Sequence, residues 1–82
     1  MKFNFFPMVL DLHGYDVNSA TAAILNALYE FEQDEYNNYF DIIVGIGSGI
    51  IRQITEDLLD KEGYYWKNIG NSLAKIRVFK KI

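Results

Sequence analysis

Between residues 8 and 45 the apolar pattern changes its period twice, and that change limits the chain to a small set of folds. "MVLDL", 8–12, reads as a short buried strand. From about 18 to 33, Ala20, Ala23, Ile24, Ala27, Leu28 and Phe31 recur at helical spacing and make one apolar stripe. "YFDIIVG", 39–45, is rich in β-branched residues and reads as a second strand. Two strands joined through a helix lie parallel, with a right-handed connection.

The remainder extends this unit. Asn18 or Asp16 can cap the first helix, because a side-chain oxygen accepts from the N–H groups of the first turn. Glu30, Glu32, Asp34 and Glu35 crowd its far end, where negative charge opposes the helix dipole, so the helix should end near Gln33. Residues 49–62 read as a second helix with Ile50, Ile51, Ile54 and Leu58 inward and Gly63 as the stop. "YYWKN", 64–68, reads as a third strand, "GN" at 70–71 as a two-residue hairpin turn, and "LAKIRVFKK", 73–81, as a fourth strand. Alternation puts Ala74, Ile76 and Val78 on one face of that strand and Lys75, Arg77 and Phe79 on the other. Pro7 suits the entry to the first strand. The expected fold is a single α/β domain over 1–82, a two-layer sandwich of order βαβαββ, with a mixed four-stranded sheet and two helices.

Composition removes several classes of function. The chain has 82 residues and no cysteine, so a disulfide framework, a thiolate nucleophile and a cysteine zinc site are all excluded. A cytoplasmic setting fits that usage. A chain this short buries roughly 60–65% of its unfolded surface, enough for one core. "MKFNFFPMVL" is interrupted by Asp11 and lacks a small-residue cleavage site, so it does not read as a signal peptide. No apolar run reaches the ~18–20 residues that span a bilayer, so no membrane partner is expected. The net charge is −3, but it is unevenly spread. Residues 1–60 hold two basic and ten acidic side chains; residues 61–82 hold six basic and one acidic. Such asymmetry fits a polyanion-facing edge on an acidic body, and equally an ordinary solvated strand.

Ligands of parallel sheets bind beyond the carboxyl ends of the strands. Two stretches fall there: "DLHGYD" after the first strand and "VGIGSGIIR" after the second. Asp11 and His13 share a face, and His13 is the only histidine. The glycines of "GIGSG" lead directly into a helix, whose first N–H groups and positive dipole end favour an anion. Arg52, in the first turn, adds a forked phosphate contact. The spacing matches neither a Rossmann fingerprint nor a P-loop. Ser19, Ser48 and Ser72 lack a nucleophile-elbow context, and one histidine with scattered carboxylates gives no metal-ligand spacing. Taken singly, the histidine turn and the glycine turn each leave a structural and a functional reading open.

The two stretches together resemble the Smr (small MutS-related) domain: an early "LDLHG" before a helix, then an apolar strand, a "GxGxG" turn, "IIR" and a second helix. The resemblance runs from about Val9 to Phe79. It implies an α/β sandwich similar to the C-terminal domain of translation initiation factor three. It also implies binding of DNA or RNA, with nicking-endonuclease or ribonuclease activity in several members. Asp11, His13 and Gly14 match the first motif; Gly45, Gly47, Gly49 and Arg52 match the second. The chain departs from the family at Val44, where Thr or His is usual, and at Ile46, where Lys is common. The later glycine-rich stretch is shortened to "GNSL". Loss of the lysine removes one phosphate contact.

Two functions follow as expectations. In the first, the domain is an endonuclease of RNA or structured DNA. His13 is its general acid or base, since an imidazole exchanges protons near neutral pH. Asp11 orients the ring or stabilises its charged form, and the glycine turn with Arg52 holds the phosphate. Asp11 and Asp16 are the carboxylates that would hold a divalent cation, should one take part. In the second, the same site binds without cleaving, helped by Lys75 and Arg77 and by base stacking on Tyr64, Tyr65 and Trp66. Core packing competes for at least two of those three rings. A third reading docks the ribosome or another protein on the acidic patch Glu30, Glu32, Asp34 and Glu35.

Overall fold

Asp16 starts the first helix. In the computed structural model, which describes residues 8–45, 47, 49–70 and 73–81, its carboxylate accepts from the Ser19 N–H at 2.7 Å. Bonds from Ser19 favour the charged form and hold the Asp16 carboxyl below its ordinary value. Helix α1 (Val17–Gln33) then buries Ala20, Ile24, Ala27, Leu28 and Phe31, the stripe that the helical spacing picks out. It ends at Gln33, where acidic side chains face an unfavourable dipole. Lys80 answers that end: its ammonium donates to the carbonyls of Phe31 and Asp34 and lies over the Phe31 ring.

Helix α2 (Ile50–Glu62) stops at Gly63. The Gly63 N–H donates to the Asp60 carbonyl and the Tyr64 N–H to the Leu59 carbonyl, which turns Tyr64 back into the core. Of the four residues of α2 expected inward, Ile51, Ile54 and Leu58 pack on the core and Ile50 does not. Ile50 is 52% exposed, whereas Leu59 and Thr55 are fully buried, with Ile51, Ile54 and Leu58 packed alongside. Ile50 is the first helical residue and lies on the loop side; the phase that meets the sheet runs through 51, 54–55 and 58–59.

Four strands form one sheet in the order β1-β2-β4-β3. Strands β1 (Met8–Asp11) and β2 (Tyr39–Ile43) are parallel neighbours, with Asp11 opposite Ile43. Strand β4 (Lys75–Phe79) is antiparallel both to β2 and to β3 (Trp66–Asn68), so the last strand lies inside the sheet and β3 is an edge. Six residues separate β3 from β4, so "GN" is not a two-residue turn; Gly70 lies in this longer connection and Asn71 falls outside the described residues. Both helices cover one face, against Leu10, Phe40, Ile42, Trp66, Ile76 and Val78. The other face carries Val9, Asp11, Tyr39, Asp41, Ile43, Lys67, Lys75, Arg77 and Phe79 and has no covering layer among the described residues.

Tyr64 makes the core sensitive to alkali. Burial, with Glu32 and Glu62 nearby, pushes its phenol up to about 12. The unfolded chain loses this proton near its ordinary value of 10.0, while the folded chain keeps it. Stability supplied by Tyr64 is therefore complete below that ordinary value and is lost as pH rises through about 12. Thermal melts of the wild type should fall steeply across this interval. Tyr64→Phe should flatten the fall; equal slopes would contradict the assignment.

Candidate nucleic-acid interface

Three connections meet at one end of the sheet. The chain leaves β1 and β2 there because these strands are parallel neighbours, and it enters β4 there because β4 runs the other way. The ladder continues one step past the strands: Leu12 N–H donates to Ile43 O at 2.8 Å, and Val44 N–H donates to Ala74 O at 2.7 Å. The histidine turn, the glycine turn and the β3–β4 connection therefore open on the same side.

The first turn is built by its aspartate. Asp11 Oδ1 accepts from the backbone N–H of His13 at 2.9 Å, and Tyr15 N–H donates to Leu12 O at 3.0 Å. Leu12 is fully buried between two exposed residues, so it anchors the turn in the core while the His13 side chain faces solvent. The bond that the structure gives Asp11 is thus to the histidine backbone, not to its ring. Its direct effect is to set where the imidazole leaves the chain. Gly14 follows, and Gly14, Tyr15, Asp16 and Ser19 line a shallow depression beside His13.

The second turn leaves β2 at Val44 and Gly45. Val44 is buried, which gives its departure from the usual Thr or His a packing role. Gly45 at φ +78° and Gly49 at φ +88° adopt the left-handed backbone that favours glycine. Gly49 is the N-cap of α2 and brings no side-chain cap to the helix start. Arg52 folds back toward this end: a Cβ at Gly49 would lie 3.5 Å from Arg52 Nη2. It also pairs with Glu56, one turn on, at 3.5 Å. Gly47 is exposed between these points; Ile46 and Ser48 lie outside the described residues. A guanidinium beside the amino end of a helix combines two positive sources, an arrangement suited to a phosphate.

The basic strand divides its work. Lys75 is exposed at the start of β4, opposite Ile43 and one strand from Asp11. Arg77, expected at a phosphate, bonds a carboxylate within the sheet face. Nε donates to Asp41 Oδ1 at 2.8 Å and Nη2 to Asp41 Oδ2 at 3.1 Å, while the guanidinium lies 4.0 Å from the centre of the Tyr39 ring. Both prongs of the fork are engaged, and the Asp41 bonds hold the guanidinium even more firmly in its charged form. Lys67, which no motif singles out, is exposed on the same face opposite Arg77.

Two other candidate surfaces can be placed, and core packing takes two of the three aromatic rings, as favoured for them. Of the three aromatic residues at 64–66, Tyr64 is buried and Trp66 packs on the core, with its indole N–H on Asp60 Oδ1 at 2.8 Å; Tyr65 alone is 68% exposed. One of the four residues of the acidic patch is withdrawn from the surface. Asp34 is buried, accepting from the Tyr36 N–H at 2.8 Å and from the Asn37 amide, and Glu32 pairs with Lys81 at 3.7 Å. Glu30, Glu32 and Glu35 are exposed. Asp11 and Asp16 are each bonded to a backbone N–H, and no cluster of three metal-ligating side chains occurs among the described residues. Nor is any helix among them long and apolar enough to cross a membrane.

Comparison with known proteins agrees with this architecture. The solution structure of the SMR domain of NEDD4-binding protein 2 superposes with a TM-score of 0.67 at 22% identity, covering 100% of this chain and 94% of that one. No curated protein sequence matches. The family model for the Smr domain matches residues 10–72, which takes in both turns and both helices. The chain belongs to the Smr domain family.

Proposed function

We propose that this domain binds nucleic acid at the loop end of its sheet and cleaves phosphodiester bonds in RNA or structured DNA there. Family membership supports nucleic-acid binding with a nuclease-like site. One observation carries the finer reading: the histidine turn and the glycine turn leave adjacent parallel strands side by side, with Arg52 folded against the start of α2. A phosphate held by Gly45, Gly47, Gly49 and Arg52 would lie beside an exposed imidazole. His13 would then take a proton from the attacking hydroxyl or give one to the leaving oxygen. Gly14, at φ +82°, supplies the left-handed backbone that turns the chain after His13, and Lys75 adds positive charge at the rim.

The test is incubation of purified protein with labelled structured RNA and DNA, with and without EDTA. Appearance of shorter products supports cleavage, and their loss in EDTA would bring in a divalent cation. Intact substrates under both conditions would leave the second reading, a non-catalytic binding module. That reading is favoured by one contact, the bond from Asp11 to the His13 backbone rather than to the ring.

Arg52 gives an independent check on binding. Each neutralised phosphate contributes ~0.7–0.9 to the slope of log affinity against log salt. Arg52→Ala should weaken binding and reduce that slope by about one such step. Arg77→Ala should instead lower the melting temperature, because it strips Asp41 of its partner. An unchanged slope for Arg52→Ala would remove this residue from the interface.

A further inference from the structure

Rows of side chains cross the face of the sheet that no described layer covers, and strand register sets their order. Asp11, Ile43 and Lys75 form the row nearest the loops; Val9, Asp41, Arg77 and Lys67 form the next; Tyr39 and Phe79 form the far one. Tyr65 joins the far row. Its ring centre lies 5.3 Å from that of Phe79, which in turn lies 6.5 Å from that of Tyr39. The Lys67 ammonium is 5.7 Å from the centre of the Phe79 ring. A surface of aromatic rings and cations thus begins beside the loop site and continues away from it.

Charge on this face runs against the charge of the whole molecule. The chain is net negative, yet Arg77 neutralises Asp41 here, and neither Lys67 nor Lys75 has a carboxylate partner among the described residues. Asp11 alone is left, at the loop edge, bonded to the His13 backbone. The arrangement suits a ligand with flat apolar rings and regularly spaced negative charge. Nucleobases on a phosphate backbone have both, and stacking on aromatic rings accepts any base.

We propose that this face is a platform for a single-stranded nucleic-acid segment. Bases stack on Tyr65 and the exposed part of Phe79, and phosphates lie against Lys67 and Lys75. The proposal rests on the reading of the loop end as a nucleic-acid site and deepens it. Lys75 and Phe79 are four residues apart on one strand, about 13 Å, so a strand leaving the loops along β4 reaches the rings. Such a domain would prefer substrates with an unpaired segment beside the bond to be cut.

The experiment is a titration of labelled single-stranded oligothymidylate and of an abasic deoxyribose-phosphate strand of equal length. Tyr65→Ala should weaken oligothymidylate binding by about tenfold and change abasic binding less than twofold. Tyr65→Phe should restore wild-type affinity, since stacking needs the ring and not the hydroxyl. Lys67→Ala should weaken both strands and reduce the salt slope by ~0.7. Unchanged oligothymidylate binding by a folded Tyr65→Ala protein, or equal losses on both strands, would overturn the platform. Arg52→Ala separates this outcome from failure of the loop site. If Arg52→Ala weakens binding and Tyr65→Ala does not, the platform falls alone. If Tyr65→Ala weakens binding while Arg52→Ala and the cleavage assay show nothing, the platform stands without the loop site. Self-association that Tyr65→Ala abolishes, with no oligothymidylate bound, would assign the face to a second copy of the chain.

Discussion

Replacing His13 with alanine is expected to lower phosphodiester cleavage by about 10²-fold or more while leaving nucleic-acid affinity within a few-fold. The expectation rests on a division of labour at the loop end. Phosphate contacts are assigned to the glycine turn and Arg52, which do not depend on the imidazole. Proton transfer is assigned to His13, an exposed side chain in a turn held by Leu12 below and by Asp11 Oδ1 on the His13 N–H. Because that bond is to the backbone, the alanine variant keeps it. Its melting temperature should therefore stay close to that of the wild type. Asp11→Asn should slow cleavage by less, since an amide oxygen can still accept from the same N–H. Cleavage that persists unchanged in a folded His13→Ala protein would rule out this mechanism.

Phe31→Ala should cost about 3–5 kcal/mol of stability, a large part of the ~5–15 kcal/mol that holds a typical domain together. Phe31 is fully buried at the carboxyl end of α1. Its ring meets Phe40 edge-on at 4.8 Å and Tyr64 at 6.3 Å, so it joins α1 to the central strand β2 and to the end of α2. Lys80 lies over its outer side. Truncation removes all three ring contacts and leaves a cavity bounded by elements that cannot all close on it. In a chain of 82 residues the loss should lower the melting temperature by ~15 °C or more. Phe31→Leu, which refills most of the space, should cost markedly less. A loss below ~1 kcal/mol for Phe31→Ala would mean that the layers are not joined through this ring.

Much of the architecture could be read from local pattern. The stripe from Ala20 to Phe31 marks α1, and its cap is one of two candidates, Asp16 or Asn18, of which Asp16 makes the bond. The alternation on β4 places Ile76 and Val78 inward and Lys75, Arg77 and Phe79 outward, as observed. The two turns are also legible by position, although each alone leaves a structural and a functional reading open and only the pair points to a family. Functional detail within those turns was less legible. Asp11 bonds a backbone donor two residues away, a choice set by the path of the turn.

Local chemistry along the chain determined the order βαβαββ, the stop at Gly63 and the parallel start of the sheet, because periodicity, capping and turn preference act within a few residues of their cause. Tertiary structure alone decided the rest. Insertion of β4 between β2 and β3 is a choice among long-range pairings that strand pattern leaves equal. That insertion puts Arg77 opposite Asp41, 36 residues away, and draws Nε and Nη2 of its fork onto a carboxylate. The same register draws Tyr39, Phe79 and Tyr65 into one row and sets Lys67 beside them. It also brings Lys80 to the end of α1, where the acidic helix terminus needed a cation from 46 to 49 residues further along the chain. Each of these contacts joins residues that only a folded sheet brings together, and their energies depend on burial and direction that no linear pattern records.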